Sequence, residues 1–407
     1  MWNIITADVM DGLRTLESGS VQTVCTSPPY WGLRDYGIDA QLGLEIRPDC
    51  LGWATGAECG ECYVCHLVAV FREVKRVLKD DGTLWLNLGD SYATHNSGGK
   101  GYSHNFQTAE ISESAGFSQD KPSASSIGLK EKDLIMIPAR VALALQADGW
   151  WLRSDIIWAK SNGMPESVTD RPTKAHEHIF LLAKSQSYYY DNHAERTVSN
   201  SNGGGWSHTY AEQQLSHGAM HNERPPSENG ANLRDVWQFP TGQFGGAHFA
   251  VFPEELPRRC VKLGTSERGE CPQCGKAWVR VADTHRHLET GRKTLGIGNT
   301  FNPMRLGEKA NGYSTRLHHD ISTITVGWRP QCDCNAGDPI PQLVADIFCG
   351  AGTTGLVAVK LGRRFVGIEL NPEYVKIASD RIAAEHGLTI EQAATNGDQN
   401  AQLRLMD

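Results

Sequence analysis

The stretch from Leu343 to Leu370 limits the fold of this chain more than any other. LVADIFCG (343–350) reads as a short buried strand, a glycine-rich turn follows, a helix runs from about Thr353 to Leu361, and RRFVGIEL (363–370) reads as a second strand. A strand–turn–helix–strand unit of this kind needs a parallel sheet with a right-handed crossover. In the turn Asp346-Ile-Phe348-Cys-Gly350-Ala-Gly352-Thr353-Thr354-Gly355, glycines let a ligand approach the backbone, and the following helix offers free N–H groups. Glu369 lies 19 positions after Gly350, at the end of the second strand, where a carboxylate can accept both hydrogen bonds of a ribose diol. Glycines alone would mark any tight corner of a doubly wound protein. Turn, helix, strand and terminal acid together imply a nucleoside-containing cofactor. The three-glycine dinucleotide spacing is absent and no P-loop lysine follows, which disfavours NAD and ATP. A further helix starts near Pro372.

A second motif sits near the other end of the chain. After the apolar run VQTVC comes Thr26-Ser27-Pro28-Pro29-Tyr30-Trp31. Two prolines fix φ and hold a rigid corner at the end of a strand. The Ser27 hydroxyl and the Pro28 carbonyl can accept hydrogen bonds from an exocyclic amine, and the Tyr30 ring can cover a planar base. Between the motifs, Val70, Phe71, Val74, Val77 and Leu78 share one helix face; Asp81-Gly82 is expected to end that helix and TLWLNLGD to form a buried strand.

These residues resemble the S-adenosylmethionine-dependent DNA amino-methyltransferases: TSPPYW is similar to their catalytic motif in its Ser-Pro-Pro-Tyr form, and DIFCGAGTTG to their cofactor motif. The catalytic string comes first and the cofactor string last, the order of the permuted beta group. Further similarity lies at Asp8, NLGDSY (87–92), IIWAKSNGMPESVTDRPTKAHEHIFLLAKS (156–185) and HFAVFPEEL (248–256). The resemblance implies an α/β, Rossmann-like, mostly parallel twisted sheet with one antiparallel strand, its last segments packing beside the first. It also implies roles for the residues. Ser27, Pro28, Pro29 and Tyr30 would hold the target base. Phe348, Gly350, Gly352, Thr353 and Thr354 would wrap the cofactor after Asp346, with Glu369 on its ribose. Asp8 would lie near the adenine, and Phe249 and Pro253 over the methionine end.

Organisation follows from composition. At 407 residues the chain exceeds ordinary single-domain size, and its 40% hydrophobic and 21% charged residues suit a soluble enzyme. The expected pieces are a catalytic half (1–91) with a cysteine-rich insert (50–66), a polar insert (92–130), core (131–191), a polar loop (192–230) and a cofactor-covering core segment (231–264). A zinc-ribbon-like insert (265–335), the cofactor-binding half (336–387) and a polar tail (388–407) complete it. The insert 265–335 and the loops 92–130 and 192–230 are rival candidates for target recognition. The opening residues have neither the basic nor the apolar region of a signal peptide, and no run spans a membrane, so a cytoplasmic location is expected. In such a compartment, eleven cysteines suggest metal ligands rather than disulfides. Cys271 and Cys274 with Cys332 and Cys334 form one expected tetrahedral zinc set. Cys50, Cys59, Cys62 and Cys65 form a second, with His66 as a spare ligand. Cys25 and Cys349 read as buried small hydrophobes, and a cytosine-C5 enzyme would need Pro-Cys where this chain has Pro-Pro-Tyr.

Net charge is −8, so no uniform basic coat binds nucleic acid, yet residues 265–330 hold ten Lys/Arg against six Asp/Glu. That local excess fits phosphate contact or a solvated face equally well. The expected activity is site-specific methyl transfer from S-adenosylmethionine to a flipped base in double-stranded DNA, with a cognate restriction nuclease as a candidate partner. The serine before the prolines favours cytosine N4, with adenine N6 as the alternative. Competing readings are an inactive zinc-bearing DNA-binding protein and a methyltransferase of RNA or a protein amide.

Overall fold

In a computed structural model, the described residues are 1–33, 41–93, 128–197, 231–242, 251–289 and 318–385. Phe249, most of the two polar inserts and the expected tail lie outside them. The chain divides into two units, one of residues 1–195, 234–279 and 330–407, the other of 196–233 and 280–329.

The first unit is built on an eight-stranded sheet. Its strands in chain order are β1 (Trp2–Thr6), β2 (Val21–Thr26), β3 (Leu78–Leu88), β4 (Trp151–Lys160), β5 (His176–Ala183), β8 (Val236–Phe239), β11 (Leu343–Asp346) and β12 (Arg364–Glu369). They lie in the order β1-β12-β11-β2-β3-β5-β4-β8, and only β5 runs antiparallel to its neighbours. This is the mostly parallel α/β sheet expected, and pairing of β1 with β12 joins the two ends of the sequence. Alternation along the strands serves both faces. Leu343, Ala345, Val366 and Ile368 point to the cluster made with α1 (Val9–Arg14), α2 (Tyr63–Val77) and α3 (Ile137–Ala147). Val344 and Phe365 point to the other cluster, with α4 (Glu255–Gly264), α5 (Thr353–Lys360) and α6 (Pro372–Glu385). Strand β2 is buried along its whole length, as a central strand covered on both faces must be.

Two boundaries differ from expectation. Helix α2 stops at Val77, not at Asp81-Gly82, and β3 begins at once. The ladder shifts here, Val21 pairing with Leu78 but Thr23 with Thr83, so the bulge absorbs Lys79–Gly82 and turns Lys79 towards Glu270. The stretch 265–335 is not one separate piece. Its cysteine knuckle belongs to the first unit, because buried Glu270 pairs with both Lys79 and Arg364 and exchanges backbone bonds with Ile340. The second unit holds the ladder of β6 (Arg196–Thr197) with β7 (Ala231–Asn232) and most of the pair β9 (Trp278–Glu289) and β10 (His318–Pro330). Within it, the Arg280 guanidinium lies 4.4 Å from the Trp328 ring centre. No helix among the described residues is long and apolar enough to cross a membrane.

One buried carboxylate stitches β2 to β11. Asp346 Oδ1 accepts from Thr26 Oγ1 at 2.7 Å and from the Phe348 N–H at 3.2 Å, and Oδ2 accepts from Thr354 Oγ1 at 2.7 Å. Burial pushes this carboxyl up from about 3.8 to about 6, although all three hydrogen bonds pull the other way. With the folded value above the unfolded one, the charged form costs about 3 kcal/mol, a cost absent below about pH 4 and complete above about pH 6. We expect Asp346→Asn to gain on the wild type by up to about 3 kcal/mol between about pH 4 and pH 7. Urea unfolding of both proteins at each pH measures this; a difference constant with pH would mean an unshifted carboxyl.

Candidate active site

The C-terminal ends of parallel strands, with the helix N-termini that follow them, line one edge of such a sheet, where ligands bind. Here β2 ends in the Ser27-Pro28-Pro29-Tyr30 corner, β11 leads into the glycine turn, β12 ends at Glu369 and β3 ends beside Asn87. A cavity of about 510 Å³ opens between them. Asp8, all four corner residues, Phe348, Gly350, Thr353 and Glu369 stand on its wall. The chain's two motifs therefore share one pocket.

Other expected cofactor residues lie behind that wall. Asp346 and Thr354 form the hydrogen-bonded hub beneath it. Gly352 has φ +76°, and a β-carbon there would come 2.7 Å from Ala378 Cβ, so this glycine permits α6 to pack closely. Gly350 is the opposite case: a β-carbon would meet nothing within 4 Å, which leaves its backbone open to the cavity. Pro253 packs behind Gly242, with Val251 and Phe252 reaching the wall.

Glu369 Oε2 accepts from the Gly350 N–H at 2.7 Å and Oε1 from the Asn371 N–H at 2.9 Å. These bonds fix the carboxylate and leave each oxygen a further lone pair for a ribose hydroxyl. Burial raises its pKa, and the backbone donors partly oppose that. Asp8 caps α1, its Oδ1 accepting from the Met10 N–H at 2.8 Å. With the Phe348 and Tyr374 rings on the same wall, the lining fits an adenosyl group.

The corner is held from several sides. Tyr63 Oη donates to the Pro29 carbonyl at 2.7 Å, and among the described hydrogen bonds none engages the Pro28 carbonyl. Tyr30 Oη donates to Glu177 Oε2 at 2.7 Å and lies 3.4 Å from Ser27 Oγ. Burial, then the Glu177 carboxylate, holds the phenol pKa well above its usual value, so it stays a donor. Asn87 Nδ2 also donates to Glu177 Oε2, at 3.0 Å, and Lys160 Nζ reaches Oε1 at 2.5 Å. Glu177, Asn87 and Lys160 were not singled out in the sequence. Their signal was faint: each sits inside a strand, and β5 carries Glu177 to this edge only because it runs antiparallel. Cys25, by its hydrogen bond with Cys260 and by burial, and Cys349, by burial, have thiols raised far from ionisation, as buried hydrophobes should.

Each cysteine set converges. In both, the four sulfurs lie within 4.8 Å of one another. In the first, Cys50 and Cys65 are 3.5 Å apart and Cys59 and Cys65 3.9 Å. A tetrahedral zinc separates its sulfurs by roughly 3.8 Å, a disulfide by about 2.05 Å, so this donor set suits an ion. His66 is not part of it, pairing instead with Glu45 at 2.9 Å.

A pocket that fits a nucleoside and shares its wall with a Ser-Pro-Pro-Tyr corner suits a group-transfer enzyme. The comparisons name the family. A model of the N6/N4 methyltransferases, described as DNA methylase, matches residues 21–271 and 338–380. The Type II methyltransferase M.XycI of Xanthomonas campestris pv. cyanopsidis is 37% identical over 387 residues, 95% of this chain and 89% of that one. M.Cfr9I of Citrobacter freundii is 38% identical over the same coverage, and M.SmaI of Serratia marcescens 34% identical over 93% of this chain and 90% of its own. Among solved structures, the PvuII cytosine-N4-specific DNA methyltransferase aligns with a TM-score of 0.49 and 15% identity, over 97% of this chain and 90% of that one. The chain belongs to the S-adenosylmethionine-dependent DNA amino-methyltransferases.

Two substitutions separate the halves of the pocket. Glu369→Ala should weaken S-adenosylmethionine binding about 30-fold or more by calorimetry, the loss expected for two ribose hydrogen bonds to a charged acceptor. At Gly89 an added β-carbon would come 2.5 Å from Tyr30 Cε2. Gly89→Ala should therefore slow methyl transfer about tenfold to hundredfold while leaving cofactor affinity within about twofold.

Proposed function

We propose that this DNA methyltransferase modifies the exocyclic N4 of cytosine in a base turned out of double-stranded DNA. The observation that carries the reading is the single cavity bounded by Ser27 on one side and Glu369 on the other. Asp8, Phe348, Gly350 and Glu369 would hold S-adenosylmethionine, which supplies an activated methyl group as the electrophile. An exocyclic amine is a weak nucleophile because its lone pair is delocalised into the ring. Ser27 Oγ and the Pro28 carbonyl would accept its N–H bonds, an interaction that strengthens as positive charge grows on nitrogen. Tyr30, its hydroxyl pinned by Glu177, would cover the ring face. No covalent enzyme intermediate is required, consistent with neutral, buried Cys25 and Cys349. The base must leave the helix because its amine is otherwise paired.

The hydroxyl side chain before the prolines supports cytosine over adenine N6. The Type II designation of the relatives supports a restriction nuclease as the partner activity. Each four-cysteine set is read as a structural zinc site, which gives two ions per chain. Nucleoside analysis of DNA modified by the purified protein tests the base: we expect N4-methylcytosine, and N6-methyladenine alone would overturn it. Ser27→Ala should lower kcat about tenfold or more, with little change in cofactor binding.

A further inference from the structure

We propose that the zinc site of Cys50, Cys59, Cys62 and Cys65 is a positioning device for the base-holding corner, acting through Tyr63. The two cysteine sets stand in different relations to the cavity. The set at Cys271 is docked through Glu270 on Lys79 and Arg364, at the start of β3 and β12, the edge of the sheet opposite the cavity. The first set instead grips the beginning of α2. Cys62 is the residue that caps this helix, and Cys65 lies in its first turn, one on each side of Tyr63 in sequence. The Tyr63 side chain is fully buried, and its hydroxyl is the donor on the Pro29 carbonyl.

The chain between corner and cysteines is pinned to the same turn. The Tyr63 and Val64 N–H groups donate to the Arg47 and Pro48 carbonyls, at 3.2 and 3.0 Å. His66 Nδ1 meets Glu45 Oε1 at 2.9 Å, and Glu45 Oε2 accepts from the Gly43 N–H at 2.9 Å. The Trp31 indole donates to the Glu45 carbonyl at 2.9 Å, and the Gly32 N–H donates to the Gly43 carbonyl at 2.8 Å. Leu42, from this segment, stands on the cavity wall. Thus the first turn of α2 is the common support of Pro29, Tyr30 and the loop behind them.

Without its metal, the start of this helix is held by packing and hydrogen bonds alone, with no bond that ties the segment of Cys50 and Cys59 to Cys62 and Cys65. A rotation of about 10° at the radius of a helix side chain moves its tip by about 1 Å. A misplacement of that size at an in-line transfer costs rate, up to about hundredfold, without touching cofactor contacts. Four thiolates on one ion resist such rotation, and the positive end of the helix favours the negative charge they retain.

The inference rests on the reading of the corner as the base holder. The test therefore counts total labelled methyl delivered to DNA, whichever base carries it, so the base assignment can fail without altering the result. Full-length wild type, Tyr63→Phe, Cys59→Ser and the double variant are compared for kcat, KM for S-adenosylmethionine and zinc content. Tyr63→Phe should keep two zinc ions and an unchanged KM, with kcat lowered about tenfold. Cys59→Ser should drop to one ion and lower kcat similarly. Because ion and tyrosine act in series, the double variant should fall no more than about threefold below the slower single one. A wild-type kcat in either single variant, or multiplicative losses near hundredfold in the double, would overturn the proposal. Should Cys59→Ser not fold, Cys50→Ser takes its place in the comparison: unaltered kcat in it or in Tyr63→Phe rejects the proposal, and lowered kcat with unchanged KM in both upholds it.

Discussion

The architecture depends on the hydrogen bonds that Thr26, Phe348 and Thr354 make to Asp346. Thr26 ends the strand that leads to the proline corner; Asp346 begins the turn that leads to the cofactor pocket; 320 positions of sequence separate them. A buried carboxylate without partners would be expelled or protonated, and one with three donors can remain between two central strands. The arrangement sacrifices some stability in its ionised form to fix two loops against each other. Glu270 shows a second solution to the same problem, two cations in place of hydroxyls, at the far edge of the sheet.

Strand direction explains what surrounds the proline corner. Seven strands point one way, so their C-terminal ends present the glycine turn, the proline corner, Glu369 and Asn87 along one edge. Reversal of β5 brings its beginning to that edge, and with it Glu177. That carboxylate receives Tyr30 and Asn87 on one oxygen and Lys160 on the other. The tyrosine ring is consequently held at its hydroxyl, while Gly89 leaves space for its edge. A tyrosine fixed at both places offers the cavity a flat surface that is already ordered, as the proposed stacking on a base requires.

Much of this was legible in the sequence, and the exceptions are instructive. The glycine turn with Glu369 and the string TSPPYW are local patterns, and each defines its own backbone geometry. The single antiparallel strand and the pairing of the last segments beside the first were implied by the family resemblance. Gly350 and Gly352 look alike in sequence, yet one opens to the cavity and the other receives α6; only packing separates them. Glu177 was not singled out because two of its partners, Asn87 and Tyr30, lie 90 and 147 positions away. The end of α2 was misjudged for a related reason: Asp81-Gly82 has turn chemistry, but a bulge against β2 used it inside a strand. The knuckle at Cys271 looked independent because a buried Glu–Lys–Arg cluster leaves no periodic trace.

The pairing of β1 with β12 has a consequence for how the protein is made. Among the described residues, strand β1 is an edge strand with β12 as its ladder partner, Trp2 standing opposite Phe365. During synthesis, β1 must wait until β12 has been made, and β2 likewise lacks its neighbour on one side until β11 follows. Contacts of such long range form slowly and late. A nascent polypeptide cut short before β11 therefore carries the proline corner without the glycine turn and Glu369 that face it across the cavity.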